Sequence, residues 1–221
     1  MSTLGLVSAT CALSTVGVTV RWAVRRRDAL GRARGFPFVC VGLLMVLAVV
    51  TSVPAAHRRL EEHRLARAGA VLTGAPVTVH CQTTTGSLVD TGVELGFVRG
   101  TPDGGLERAT TIKRDPCRDL ARYAGGDHEH PSRSEVVAVH VLTHESMHMR
   151  GERDEATAEC EAMQRDALTA RLLSASFAAA RSLAVAYWAG VYPFMPEEYR
   201  TADCHPGGSL DEHLDSPPWS P

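Results

Sequence analysis

Residues 135–159 read EVVAVHVLTHESMHMRGERDEATAE, and the rest of the chain is best understood from this stretch outward. Its first part places Val136, Val139, Val141, Leu142 and Met147 at helical spacing. Ser132 or Ser134 can supply an N-cap and Gly151 a stop, so a helix is predicted over residues 135–149. A second helix is expected from near Asp154 towards Arg171, and a third over residues 174–190. Pro193 and Pro196 end the helical pattern, and the tail from Thr201, rich in Pro, Gly, Asp and Ser, is expected to run extended over the surface.

Inside the first helix stands His144-Glu145-Ser146-Met147-His148. Residues four apart share a helix face, so the two imidazoles can hold one zinc ion. Glu145 lies beside them and can take a proton from a water made acidic by that ion, then pass it to a leaving amine. A third ligand must come from elsewhere, leaving one position open. Two candidates compete. Glu155 opens the next helix, and Glu159, one turn later, can accept a hydrogen bond from His144 or His148. Alternatively, His148, Gly151 and Asp154 form an HxxGxxD pattern in which the glycine turns the chain back and Asp154 is the ligand. A donor for a developing oxyanion is sought among Tyr187, Tyr192, Tyr199 and His205. His128 and His130, in the preceding polar loop, are read as solvated.

The HExxH motif resembles the zincin superfamily of metallopeptidases. Asp154-Glu155-Ala156-Thr157-Ala158-Glu159 looks like the second motif of the gluzincins, an acidic ligand in an ExxxD pattern after an Asn, with Asp154 in the place of that Asn. The resemblance implies Glu155 as the metal ligand and Glu159 in the place of the histidine-orienting Asp. A second resemblance, to the metzincins and the small snapalysin-like proteases, runs through His144, Glu145, His148, Gly151 and Asp154 and makes Asp154 the ligand. Met195, in YPFMPEEY, lacks the Ser-x-Met form of a Met-turn, so Glu155 is preferred. Both resemblances cover only about residues 135–165. They imply zinc-dependent hydrolysis of a peptide or protein substrate, with Glu145 as general base. The alternative is a catalytically inactive zincin-like domain that binds a cell-surface protein.

Outward from this motif, the N-terminal quarter changes character. Residues 1–20 and 35–56 carry no charged side chain. Each stretch is long enough to cross a bilayer as a helix, the only open structure that satisfies its own backbone there. Ser8, Thr10, Ser14, Thr15 and Thr19 dilute the first run, whereas FVCVGLLMVLAVV makes the second strong. Between them Arg21, Arg25, Arg26, Arg27, Arg32 and Arg34 face Asp28 alone, which predicts a cytoplasmic linker and both chain ends outside. A long signal leader ending near Val53-Pro54-Ala55 is the competing reading and exports the remainder equally. The expected organisation is a transmembrane hairpin over residues 1–56 and an extracytoplasmic metallopeptidase domain over residues 57–221, held at the cell membrane.

Cys81, Cys117, Cys160 and Cys204 lie in the polar part, widely spaced and without a CxxC pair. This is the usage of two disulfides in an oxidising compartment. Of three possible pairings, Cys81–Cys117 with Cys160–Cys204 is the expected one. Alternation over residues 77–81, 93–98 and 106–112, with TPDGG between the last two, predicts three strands in a small antiparallel sheet. The fold class is α+β, mostly helical. With a net charge of -2 and no large basic domain, the chain has no nucleic-acid partner to expect.

Overall fold

The computed structural model describes residues 3–25, 27, 31–32, 35–83, 86, 92 and 94–219 of the 221-residue chain. Arg26, Asp28 and Arg34 of the linker, and Val93 at the start of the second strand candidate, lie outside the described residues. The chain forms two compact units, residues 1–60 and residues 61–221.

The first unit holds α1 (Thr3–Val24) and the apolar part of α2 (Phe38–Thr73). Both helices are long and apolar enough to cross a membrane, their most apolar 18-residue stretches having mean hydropathies of 1.3 and 2.4. Large apolar side chains such as Leu13, Val16, Phe38, Leu43 and Val50 are exposed, as lipid-facing residues are. Hydroxyls within the helices return to backbone carbonyls, as Thr15 to Cys11 (2.8 Å) and Thr51 to Leu47 (2.8 Å), so they add no unpaired polar group to an apolar surface. Helix α2 continues unbroken through residues 57–73, where Leu65, Ala68 and Leu72 become buried.

The second unit is built around one helix. After β1 (Thr78–Cys81), β2 (Gly96–Gly100) and β3 (Leu106–Ile112) come α3 (Arg114–Gly125), α4 (Arg133–Arg150), α5 (Glu155–Met163), α6 (Asp166–Leu172) and α7 (Phe177–Gly190). Single-turn 3-10 helices follow at Tyr192–Phe194 and Glu197–Tyr199. Helix α4 is the hub. It packs on the sheet and on α3, α5, α6 and α7, and every residue from Ala138 to Met149 is buried. A helix enclosed on all sides shows no strong amphipathic stripe, which is why its sequence alternates apolar and polar residues with little periodicity. Leu120, Tyr123, Val139, Leu142, Met163, Leu173, Leu183 and Tyr187 form the core about it. Ser132 caps α4 in a capping box with Glu135, and Gly151 closes it in the left-handed conformation at φ 115°, a position glycine adopts without strain.

Two expectations are corrected. The sheet is mixed, not antiparallel. Strands β2 and β3 pair antiparallel, as a hairpin through TPDGG requires, but β1 lies on the other side of β3 and runs parallel to it, giving the order β1-β3-β2. Alternation shows only which face of a strand is buried. Strand β2 lies between β1 and β3 in sequence and runs opposite to both, so β1 and β3 point the same way. The expected helix from Asp154 to Arg171 is two helices, α5 and α6. The break follows Met163, where Gln164 turns its amide to the carbonyls of Cys160 (3.1 Å) and Leu210 (2.9 Å), and Asp166 restarts the helix fully buried.

Disulfides join Cys81 to Cys117 and Cys160 to Cys204, the expected pairing. The first ties β1 to α3. The second ties α5 to the tail, which has no regular structure but is fastened by Gln164, by an Arg165–Glu212 ion pair and by Trp219 edge-on to Trp188.

Candidate metal centre

Helical spacing brings His144 and His148 together on one face of α4, and the Gly151 turn folds α5 back against it. Glu155, the first residue of α5, then reaches the two rings. His144 Nε2 lies 2.9 Å from His148 Nε2 and 3.2 Å from Glu155 Oε2, and His148 Nε2 lies 3.4 Å from the same oxygen. Ligands at 2.0–2.1 Å from a tetrahedral metal stand about 3.3 Å apart, so this triangle has the size of three corners of such a site. His148 Nδ1 donates to the carbonyl of Glu152 (2.8 Å), which leaves Nε2 with a lone pair aimed at His144. His144 Nδ1 is buried, 3.1 Å from Glu159 Oε2 at an angle short of a hydrogen bond, and has no other partner. Two imidazole nitrogens converging on one carboxylate oxygen fit a cation. These His/His/Glu groups can hold a metal ion. Glu155 has 42% of its side chain exposed, whereas both rings are close to buried, so the open side of the triangle faces solvent.

Electrostatics without the ion follow from the same contacts. Burial disfavours the charged form of His144, but Glu155 and Glu159 outweigh it and raise the ring to about 9. His148 is raised in the same way against its burial, chiefly by Glu155. The two rings hold Glu155 down to about 2. The sign for stability is therefore fixed. The raised imidazole stabilises the metal-free fold fully below its ordinary 6.5, and that contribution is lost as pH rises through about 9. The depressed Glu155 contributes above its ordinary 4.5, and that contribution is lost as pH falls through about 2. A coordinated metal replaces the ring protons. The gain in melting temperature on adding metal should thus grow between pH 6.5 and 9, with protons released on binding, which calorimetry in buffers of different ionisation enthalpy would record. A gain that is flat with pH would count against ligation by these rings.

Glu145 is buried beside the ligands. Its Oε2 is 3.2 Å from the Thr110 hydroxyl of β3, and burial pushes its carboxyl up despite His144 and His148. Edge strand β2 passes directly over it. A Cβ on Gly96 would meet Glu145 Oε1 at 2.8 Å and Cγ at 2.9 Å, so only glycine admits this approach. Gly96→Ala is expected to displace the Glu145 carboxylate, lowering any metal-dependent turnover about tenfold or more while metal content stays at the wild-type level. Elemental analysis beside an activity assay separates the two.

The other sequence candidates fall out as follows. Asp154 is not among the converging groups. Its Oδ1 accepts from the Thr157 backbone N–H and hydroxyl (both 2.8 Å) and caps α5. Tyr187 is buried and donates to Glu159 Oε1 (2.7 Å), Tyr192 exchanges hydrogen bonds with Thr201, and His205 contacts the Pro206 carbonyl. Tyr199 alone of the four proposed donors lies at the ligands, its ring centroid 5.8 Å from that of His144. His130 pairs with Asp127, and His128 packs edge-on against Tyr123. An open cleft of about 790 Å³ lined by Trp188, Tyr192, Pro193, Glu197, Arg200 and Thr201 adjoins the segment that carries Tyr199.

Sequence reading missed His140 and Asp166. His140 Nε2 lies 2.9 Å from Glu159 Oε2 and its Nδ1 2.9 Å from Asp166 Oδ2, all three residues fully buried. The available signal was the spacing His140, His144, His148, three histidines on one helix face.

The chain matches no protein-family model, and comparison with curated proteins and solved structures found no match. Its class is therefore defined by its own features: two helices able to span a membrane and a disulfide-bonded, mostly helical unit. That unit carries a buried His/His/Glu group able to hold a metal.

Proposed function

We propose that this protein is a zincin-like, zinc-dependent peptidase anchored in the cell membrane by its N-terminal helices, with the disulfide-bonded unit outside. The observation that carries the reading is the convergence of His144 Nε2, His148 Nε2 and Glu155 Oε2 within 3.4 Å of one another, one residue away from a buried glutamate. His/His/carboxylate ligands with an open fourth position are the donor set of catalytic zinc, and all three are nitrogen or oxygen donors. Zinc bound there would supply a Lewis acid and lower the pKa of a water. The chain's own residues account for the rest. Glu145 takes the proton and delivers it to the leaving amine. Burial raises its carboxyl, which makes it a stronger base towards that proton. Tyr199 is within reach to donate to a developing oxyanion. The substrate class is a peptide or protein, and the outward orientation is supported by the arginines between the spans and by the disulfides.

The test uses the full chain in detergent. Elemental analysis should find one zinc per chain, and an unstructured polypeptide substrate should be cut in a chelator-sensitive way. Stoichiometric zinc without hydrolysis would instead support the inactive domain that binds a cell-surface protein, and absence of a tightly held metal would end the enzyme reading.

A further inference from the structure

A closed polar network lies behind the ligand triangle, and its parts come from four helices' worth of sequence. His140, one turn before His144 on α4, points both ring nitrogens at carboxylates, Nε2 at Glu159 of α5 and Nδ1 at Asp166 of α6, each at 2.9 Å. A ring that faces an acceptor on both sides carries hydrogen on both nitrogens, so the geometry is that of an imidazolium. Tyr187 of α7 stacks flat on that ring, centroids 3.6 Å apart and 13° from parallel, and its hydroxyl donates to the other oxygen of Glu159. Such a face-on contact favours a cation over the ring. Glu159 is thereby held from two sides, and its Oε2 is the oxygen 3.1 Å from His144 Nδ1. The break between α5 and α6 is part of the same arrangement, because it is what brings Asp166 to His140.

We infer that His140, clamped between Glu159 and Asp166 under Tyr187, is a positioning residue that acts through Glu159 to fix the metal ligand His144. The inference rests on the metal-centre reading above. His140 is buried from solvent, and its ring lies beside that of His144, centroids 6.0 Å apart, with no hydrogen bond to the triangle. Its hydrogen-bonded route to the triangle runs through Glu159, whose carboxylate, 3.1 Å from His144 Nδ1, favours a hydrogen on that nitrogen and so leaves Nε2 for the metal. His140, His144 and Glu159 also lie close enough to hold a cation of their own. An imidazolium at His140 makes that unnecessary, since it already places positive charge between the two carboxylates.

The experiment compares full-length wild type with His140→Gln, Asp166→Asn and, as a buried polar control outside the network, Asp119→Asn on α3, where Asp119 pairs with Arg118 and Arg122. Zinc affinity is read by competition with a chromophoric chelator, geometry by the visible spectrum after cobalt(II) substitution, and folding by circular dichroism. Folded His140→Gln should bind zinc about 10–100-fold more weakly with a shifted cobalt spectrum. Asp166→Asn should show a smaller loss in the same direction, and Asp119→Asn should keep wild-type affinity and spectrum. If His140→Gln does not fold, the near-isosteric Asp166→Asn decides alone. Wild-type affinity and spectrum in the network variants would overturn the inference, as would an equal loss in Asp119→Asn. So would a second equivalent of metal in wild type that disappears in His140→Gln, which would make the network a metal site. A wild type that holds no metal defeats the metal-centre reading itself, a result distinct from all of these.

Discussion

Glu145→Gln should leave one zinc per chain and abolish peptide hydrolysis, with a fall in kcat of about 10²–10⁴-fold. Glutamine keeps the shape that fits under Gly96 and can still meet the Thr110 hydroxyl, so the helix and the ligands need not move. What it lacks is a group that can accept a proton. The same substitution has a consequence for stability. Burial raises the carboxyl of Glu145, and an acid raised in the folded state destabilises the fold increasingly as pH climbs above its ordinary 4.5. Glutamine removes that penalty. The metal-free variant should therefore melt no lower than wild type at neutral pH, and the difference should vanish in acid. Thermal unfolding at two pH values, run beside the assay, checks both effects. Hydrolysis at the wild-type rate would remove Glu145 from the mechanism and with it the enzyme reading.

Glu155→Ala should release the metal, while Asp154→Ala should keep it. The two acids are adjacent in sequence and were rivals for the third ligand. In the structure Glu155 Oε2 stands at 3.2 and 3.4 Å from the two imidazole nitrogens, whereas Asp154 is engaged at the N-terminus of α5. A four-ligand structural zinc site is worth about 10–16 kcal/mol, or roughly 3–4 per ligand, so removing one of the three protein ligands here should cost roughly 10²–10³-fold in affinity. Loss of the Asp154 cap costs about 1 kcal/mol of stability and no coordination. Competition with a chelator of known affinity measures the first, and a melting curve the second. Release of zinc by Asp154→Ala with retention in Glu155→Ala would reverse the assignment and favour the HxxGxxD reading.

Much of this arrangement was legible before any coordinates. HExxH, the Ser132 cap and Gly151 place two imidazoles on one helix face and end that helix within reach of an acid, because each of those features is local. The charge-free runs of residues 1–20 and 35–56 likewise mark helices able to span a membrane by length and composition alone. The cysteine pairing was legible only as one of three possibilities.

What tertiary structure alone decided concerns partners distant in sequence. Strand β1 runs parallel to β3 because β2, between them in sequence, runs opposite to both, and alternation of side chains is the same for either direction. Helix α5 stops at Met163 because Asp166 meets His140 in the interior, although nothing in residues 154–171 breaks helical propensity. Gly96 is required by a carboxylate on a helix folded over it. Local residue order therefore sets which groups share a helix face. Which buried acid closes on which histidine depends on how the helices pack, since an enclosed polar atom takes whatever partner the fold brings within hydrogen-bond distance.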